Sequence, residues 1–127
     1  MQLEPGYKVL RRVGSKGYTS VAMYSGSLFY SRGKIVRPKP GCGPLAVFTD
    51  LEYAKRLILW HIHTPERYLA IARIKFQRSK EEMVYYRGRF ETFYANLADL
   101  PAGTVLADAV HVISYLTAKE KKELLEG

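Results

Sequence analysis

The sequence predicts an α+β domain in which a twisted, mostly antiparallel sheet carries one main helix and a short C-terminal helix. Short apolar runs rich in tyrosine fill the first third of the chain, and tight turns separate them, as in antiparallel hairpins. Residues 49–62 instead show apolar side chains at helical spacing. A length of 127 residues and an apolar fraction of 47% indicate one domain with a real core, spanning residues 1–127.

The first third of the chain predicts four short strands. We expect them at residues 7–13, 18–24, 28–30 and 34–36, with turns at residues 14–17, 25–26 and 31–33. Residues 37–44 form a loop, because proline and glycine dominate this segment and both of its flanks are apolar. Such short connections favour antiparallel neighbours.

The middle of the chain predicts a buried strand followed by the main helix. Residues 45–48 form a continuous apolar run, and Thr49 with Glu52 then fits a capping box. Glu52 also precedes Arg56 by four residues, which predicts an ion pair on the solvent-exposed side of the helix. The apolar stripe that should pack on the sheet consists of Leu51, Ala54, Ile58 and Ile62.

The second half predicts two long strands and the final helix. Residues 68–76 alternate like a half-buried strand, and residues 105–113 are apolar on both faces, like a central one. Residues 79–96 are ambiguous, with 83–86 read as strand and 87–89 as turn. A turn is expected at residues 100–104, and Thr117 with Glu120 forms a second capping box.

The formal charge of +8 is concentrated in the first half of the chain. Residues 1–60 carry ten Lys and Arg against three acids, whereas residues 61–127 carry ten against nine. Neighbouring cations can neutralise phosphates, and aromatic rings can stack on bases. We therefore expect a binding module for an anionic partner, with nucleic acid as the leading case and a merely solvated basic surface as the alternative. The predicted anion-binding residues are Arg11, Arg12, Lys16, Tyr30, Arg32, Lys34, Arg37 and Lys39, with Tyr18, Tyr24 and Phe29 as further rings.

Other chemistry-bearing residues do not form a recognisable site. His61 and His63 fall at the end of the predicted helix, where residues two apart diverge, so no metal site is expected. Cys42 would need a histidine folded against it to act as a nucleophile. Asp108 and His111 point to opposite faces of a strand. We expect each to be satisfied separately, by a hydrogen bond or by exposure at the end of the strand. We predict no catalytic residue, no cofactor and no metal.

The single cysteine excludes an intrachain disulfide, and with it a disulfide-stapled secreted fold. The first residues lack the basic and apolar regions of a signal peptide, and the uncharged stretch at residues 17–31 is too short to span a bilayer. We therefore expect a cytoplasmic protein that does not enter a membrane. The sequence does not indicate its oligomeric state.

The order of several motifs resembles small proteins of unknown function from viral and microbial genomes. This resemblance covers most of the chain and implies no known activity. The motifs that carry it are Tyr7-Lys8-Val9-Leu10, Tyr30-x-x-Gly33-Lys34, Gly43 to Phe48 with Asp50 and Ala54, and Leu100 to Thr104 with Leu106-Ala107-Asp108.

A second similarity is to ADP-ribosyltransferase-like folds, in which an early strand carries a basic residue and an apolar strand leads into a helix. Residues 45–48 lead into a helix in the same way. The similarity implies an NAD-binding alternative in which Arg11 or Arg12 holds a dinucleotide phosphate and Glu82 or Glu91 is the catalytic acid. The chain departs from that family because it has no Ser-Thr-Ser run and no Glu-x-Glu pair.

Overall fold

The computed structural model describes residues 2–21, 28–60, 64–87 and 92–127. They form a mixed helix and strand structure with two helices. The strands are β1 (Glu4–Arg12), β2 (Tyr18–Ser20), β3 (Ile35–Val36), β4 (Leu45–Phe48), β5 (Leu69–Arg78), β6 (Met83–Arg87), β7 (Thr92–Asn96) and β8 (Thr104–Tyr115). The helices are α1 (Leu51–Trp60) and α2 (Ala118–Glu126), and two 3-10 turns occupy Glu66–Tyr68 and Leu97–Asp99.

The main sheet closes into a small barrel. Strand β1 pairs with β4, β4 with β8, β8 with β5, and β5 with β1 again, and all of these pairings are antiparallel. Strand β2 pairs with β1, β3 pairs with β8, and β6 and β7 form a separate two-stranded antiparallel sheet. The predicted antiparallel sheet is confirmed, but its description as a twisted sheet is only partly right, because β5 joins β1 to β8 and closes the ring.

Two irregularities in the pairing of β8 with β5 coincide with outward-facing residues on β8. The register passes from Ser114 to Val112 and from Ala109 to Ala107, so that Ile113 and Asp108 have no partner on β5. Both of these residues are exposed, although β8 is otherwise largely buried. Such bulges bend a strand and increase its twist, which is what a barrel of few strands requires.

Alternation along the barrel strands feeds two cores. On β1, Leu10 belongs to the barrel core, whereas Val9 belongs to a second core under α1. On β5, Ile74 and Phe76 join the barrel core and Ile71 joins the helix core. Successive strand residues point to opposite faces, so one strand can serve both cores.

The predicted helices are confirmed, with one correction at a cap. Ala54 and Ile58 of the α1 stripe are buried, Leu51 is half-buried, and Ile62 lies outside the described residues. The Glu52 amide donates to Asp50 Oδ1 at 2.9 Å, so Asp50 caps α1 where the sequence predicted Thr49. Aspartate caps at least as well as threonine, and a helix starting at Leu51 places Asp50 at the N-cap.

Thr117 accepts from the Glu120 amide and Glu120 accepts from the Thr117 amide, which confirms the second capping box. The predicted pair between Glu52 and Arg56 also forms, at 3.9 Å on the surface. Neither described helix is long and apolar enough to cross a bilayer.

Strand boundaries depart from the predictions mostly in the first third. β1 begins at Glu4 rather than residue 7, and the expected return strand at residues 28–30 is reduced to one bridge between Thr19 and Phe29. The predicted turn at residues 25–26 lies outside the described residues. The ambiguous residues 79–96 contain the antiparallel pair β6 and β7, of which β7 was not predicted, and residues 88–91 lie outside the described residues.

Candidate functional site

Five of the predicted cations lie around one end of the barrel, which we call the basic end: Arg11, Arg12, Lys16, Arg32 and Lys34. Arg11 and Arg12 finish β1, and Lys16 lies in the turn from β1 to β2. Arg32 and Lys34 belong to the turn after Tyr30. In this turn the Gly33 amide donates to the Val112 carbonyl at 2.8 Å, and the Val112 amide donates to the Lys34 carbonyl at 3.0 Å. The Tyr30 amide donates to the Tyr18 carbonyl at 2.9 Å, and Tyr18 pairs with Arg12, so this turn adjoins the end of β1.

The cations of the basic end are available to an anion. Arg12, Lys16, Arg32 and Lys34 are exposed, and Arg11 is half-buried. Within the described part of the chain, the ion pairs join Arg56 to Glu52, Arg73 to Glu120 and Arg78 to Glu4, and none uses a cation of this end. The acid Glu4 lies at the opposite end of β1, about eight strand residues or roughly 26 Å from Arg12.

Aromatic rings surround the basic end, and one of them is open to solvent. Phe29 is 40% exposed, and its ring lies next to Gly17 in the turn that carries Lys16. Tyr18 and Tyr115 are half-buried, with ring centroids 5.0 Å apart, and the Tyr115 hydroxyl donates to the Tyr30 carbonyl at 2.5 Å. Burial raises the pKa of Tyr115.

Tyr30 corrects a predicted site residue. Its side chain is fully buried in the barrel core, because the backbone of Tyr30 is held against Tyr18 and its ring turns inward. A ring in this position cannot stack on a base. Tyr24 lies outside the described residues.

Arg37 and Lys39 are exposed but belong to a different part of the surface. They follow β3, which runs antiparallel to β8 from His111 to Val110 and so leads away from the basic end. Arg37 is three residues beyond Lys34, roughly 10 Å in extended chain, which exceeds the Debye length of about 8 Å at physiological salt. The structure thus separates these two cations from the five at the end.

A seam in the barrel wall holds a lysine that the sequence analysis did not single out. One edge of β1 pairs with β5 from Glu4 to Arg11, while the other pairs with β2 at residues 10–12 and with β4 only at Tyr7. Lys8 lies between these two partners, and its Nζ donates to the Ala46 carbonyl on β4 at 2.5 Å. Lys8 is 3% exposed, and Nζ is 5.3 Å from the centroid of the Tyr30 ring.

The seam forms the floor of a groove of about 640 Å³. Helix α1 provides one wall with Tyr53, Leu57 and Trp60, and the segment after the second 3-10 turn provides the other with Leu100 to Ala102. Lys8, Ser20 and Ala46 lie along the floor. Burial lowers the pKa of Lys8 from 10.5 to about 7, because the charged form is kept from water.

The remaining candidates do not assemble into a site within the described residues. No group of three or more His, Cys, Asp or Glu there could hold a metal ion, and His61 and His63 lie outside those residues. Cys42 is a half-buried free thiol with no hydrogen bond to a described histidine. Asp108 is exposed as expected, but His111 Nε2 is buried without a described hydrogen-bond partner, which contradicts the expectation for that residue.

The ADP-ribosyltransferase-like resemblance implies a phosphate-binding role for Arg11 or Arg12 and an acid at Glu82 or Glu91. Arg11 pairs with Leu69 at the start of β5, whereas Glu82 follows the end of β5 at Arg78. The two ends of β5 are nine residue steps, roughly 30 Å, apart. Glu91 lies outside the described residues. Comparison with protein-family models, curated proteins and solved structures gives no match to this chain.

Proposed function

We propose that the protein is a binding module for an anionic partner, and that this partner is a nucleic acid contacted by the basic end. The observation that carries the proposal is the gathering of five cations from two chain segments around one barrel end, with no ion-pair partner among the described residues. The fields of neighbouring cations add, so cations gathered at one end attract a polyanion more strongly than scattered charges do.

Because the Phe29 ring is exposed, we expect the protein to bind single-stranded nucleic acid in preference to duplexes. This ring lies beside the Lys16 turn, where a backbone phosphate on the lysine would leave an unstacked base within reach. Stacking on an aromatic ring contributes about 1–3 kcal/mol per base and does not depend on which base it is. A duplex presents no free base faces along its length and would use the cations alone.

Fluorescence anisotropy with labelled single- and double-stranded oligonucleotides tests the proposal at low and physiological salt. We expect binding that weakens as salt rises, with a single-strand log–log slope of up to about −3.5 if all five cations contact phosphates. Phe29→Ala should weaken single-strand binding about ten-fold or more and leave duplex binding nearly unchanged. Absence of binding at low salt, or binding that does not depend on salt, would leave the basic end as a solvated surface.

A further inference from the structure

The groove above the barrel seam is a second site, separate from the basic end. It is largely apolar, with Leu57, Trp60 and Pro101 among its wall residues, and its volume of about 640 Å³ is that of a small-molecule site. Trp60 is 74% exposed although it lines this groove, so a large apolar surface is left in contact with water.

The Lys8 side chain leaves β1 on the barrel-core face, as Leu10 does, but its Nζ lies at the seam, hydrogen-bonded to the carbonyl of Ala46, and both Lys8 and Ala46 line the groove. The Lys8 Nζ donates to the Ala46 carbonyl and lies over the Tyr30 ring, and among the described residues no carboxylate lies within ion-pair distance of it. A lysine buried at an apolar site without a counter-ion favours the neutral amine, and its lowered pKa follows from that burial. A neutral amine has a free lone pair and is a nucleophile.

We infer that the groove binds a small carbonyl compound with an apolar body and holds it as an imine on Lys8. The Nζ lone pair attacks the carbonyl carbon, so that a carbon–nitrogen bond forms while the carbonyl oxygen is protonated. The oxygen then leaves as water with the two protons of the amine, and a carbon–nitrogen double bond remains. No electron is gained or lost, and the apolar walls hold the rest of the ligand.

Reductive trapping tests this assignment on the whole protein. The protein is incubated near neutral pH with benzaldehyde and sodium cyanoborohydride, and the benzylation of each lysine is followed by peptide mass spectrometry. The chain has nine other lysines, which serve as internal standards. We expect Lys8 to be labelled at least about ten-fold faster than these, because a far larger fraction of its amine is neutral near pH 7.

A matched pair of variants separates the groove from the amine. Ala102→Trp fills the groove and should lower Lys8 labelling to the level of the other lysines, whereas Ala98→Trp, exposed on the neighbouring 3-10 turn but outside the groove, should not. Glyoxylate, an aldehyde without an apolar body, should label Lys8 more slowly than benzaldehyde does.

Labelling of Lys8 no faster than that of the exposed lysines would overturn the inference. Lys8 would then have only a structural role, linking β1 to β4 through its hydrogen bond to the Ala46 carbonyl. Equal labelling by glyoxylate and benzaldehyde, or undiminished labelling in Ala102→Trp, would show that the groove does not select the ligand. These readouts do not involve oligonucleotides, so their failure is distinct from failure of the proposed function.

Discussion

Replacing Lys8 by methionine should stabilise the fold below neutral pH, and the gain should vanish as the pH rises. Methionine keeps the length of the side chain but carries no charge. The pKa of Lys8 is lowered from 10.5 to about 7 in the folded protein, so the unfolded chain binds the extra proton between these two values. Stability of the wild type therefore rises with pH across this window, and the cost of the buried amine is complete only below about pH 7.

The size of the effect follows from the same shift. A lowering of about 3.5 pKa units corresponds to roughly 5 kcal/mol, to be taken as an order of magnitude. Loss of the hydrogen bond to the Ala46 carbonyl offsets about 1–3 kcal/mol of this at every pH. We expect Lys8→Met to be more stable than wild type by about 2–4 kcal/mol near pH 6, and less stable than wild type above about pH 10.

Urea unfolding followed by circular dichroism measures the difference from about pH 6 to pH 10. The difference in unfolding free energy between variant and wild type should fall by about 1.4 kcal/mol per pH unit above pH 7. Lys75→Met is the matched control, because Lys75 is exposed on β5 and its replacement should give a difference that is nearly constant with pH. A difference for Lys8→Met that is equally flat would refute the assignment of Lys8 as a buried, uncompensated amine.

Two further predictions concern the free energy of unfolding. Gly103→Ala should cost about 1–3 kcal/mol more than Gly33→Ala in urea unfolding, because both glycines have φ near +80° but only at Gly103 would a Cβ lie 2.2 Å from the Tyr53 ring. Equal costs would show that the Tyr53 contact can yield. Thr117→Ala should lower the unfolding free energy by about 1 kcal/mol through loss of the α2 capping box, whereas Thr117→Ser should restore most of it. Equal stability of the Ala and Ser variants would contradict the role of the cap.

Local patterns predicted the elements that depend on neighbouring residues. The α1 stripe at Ala54 and Ile58 and the Thr117 capping box are set by residues three or four apart, and both are confirmed. Closure of the barrel could not be found in this way, because it requires β1 to pair with β5 some 60 residues later. It also coincides with bulges at Asp108 and Ile113, which no local pattern marks.

The candidate sites likewise could be predicted from the sequence only in part. The charge asymmetry of the sequence pointed to the cations of the basic end, but it could not separate Arg37 and Lys39 from them, since that depends on the direction of β3. Lys8 had one signal that could have identified it: it directly precedes Val9 and Leu10, in the same alternation as the inward-facing Leu10. A lysine in a strand is normally assigned to the solvent-exposed face. Here the gap between β2 and β4 accommodates its amine at the seam of the barrel wall.

The salt dependence of nucleic-acid binding in two double variants of equal charge distinguishes binding by the basic end from attraction by net charge. Arg12→Ala/Arg32→Ala removes two cations from the basic end, and Arg37→Ala/Lys39→Ala removes two from the loop that leads away from it. We expect the first pair to reduce the magnitude of the single-strand log–log slope by about 1.4 and the second to change it by less than half as much. Equal reductions by the two pairs would show that net charge, and not the arrangement at the barrel end, governs binding.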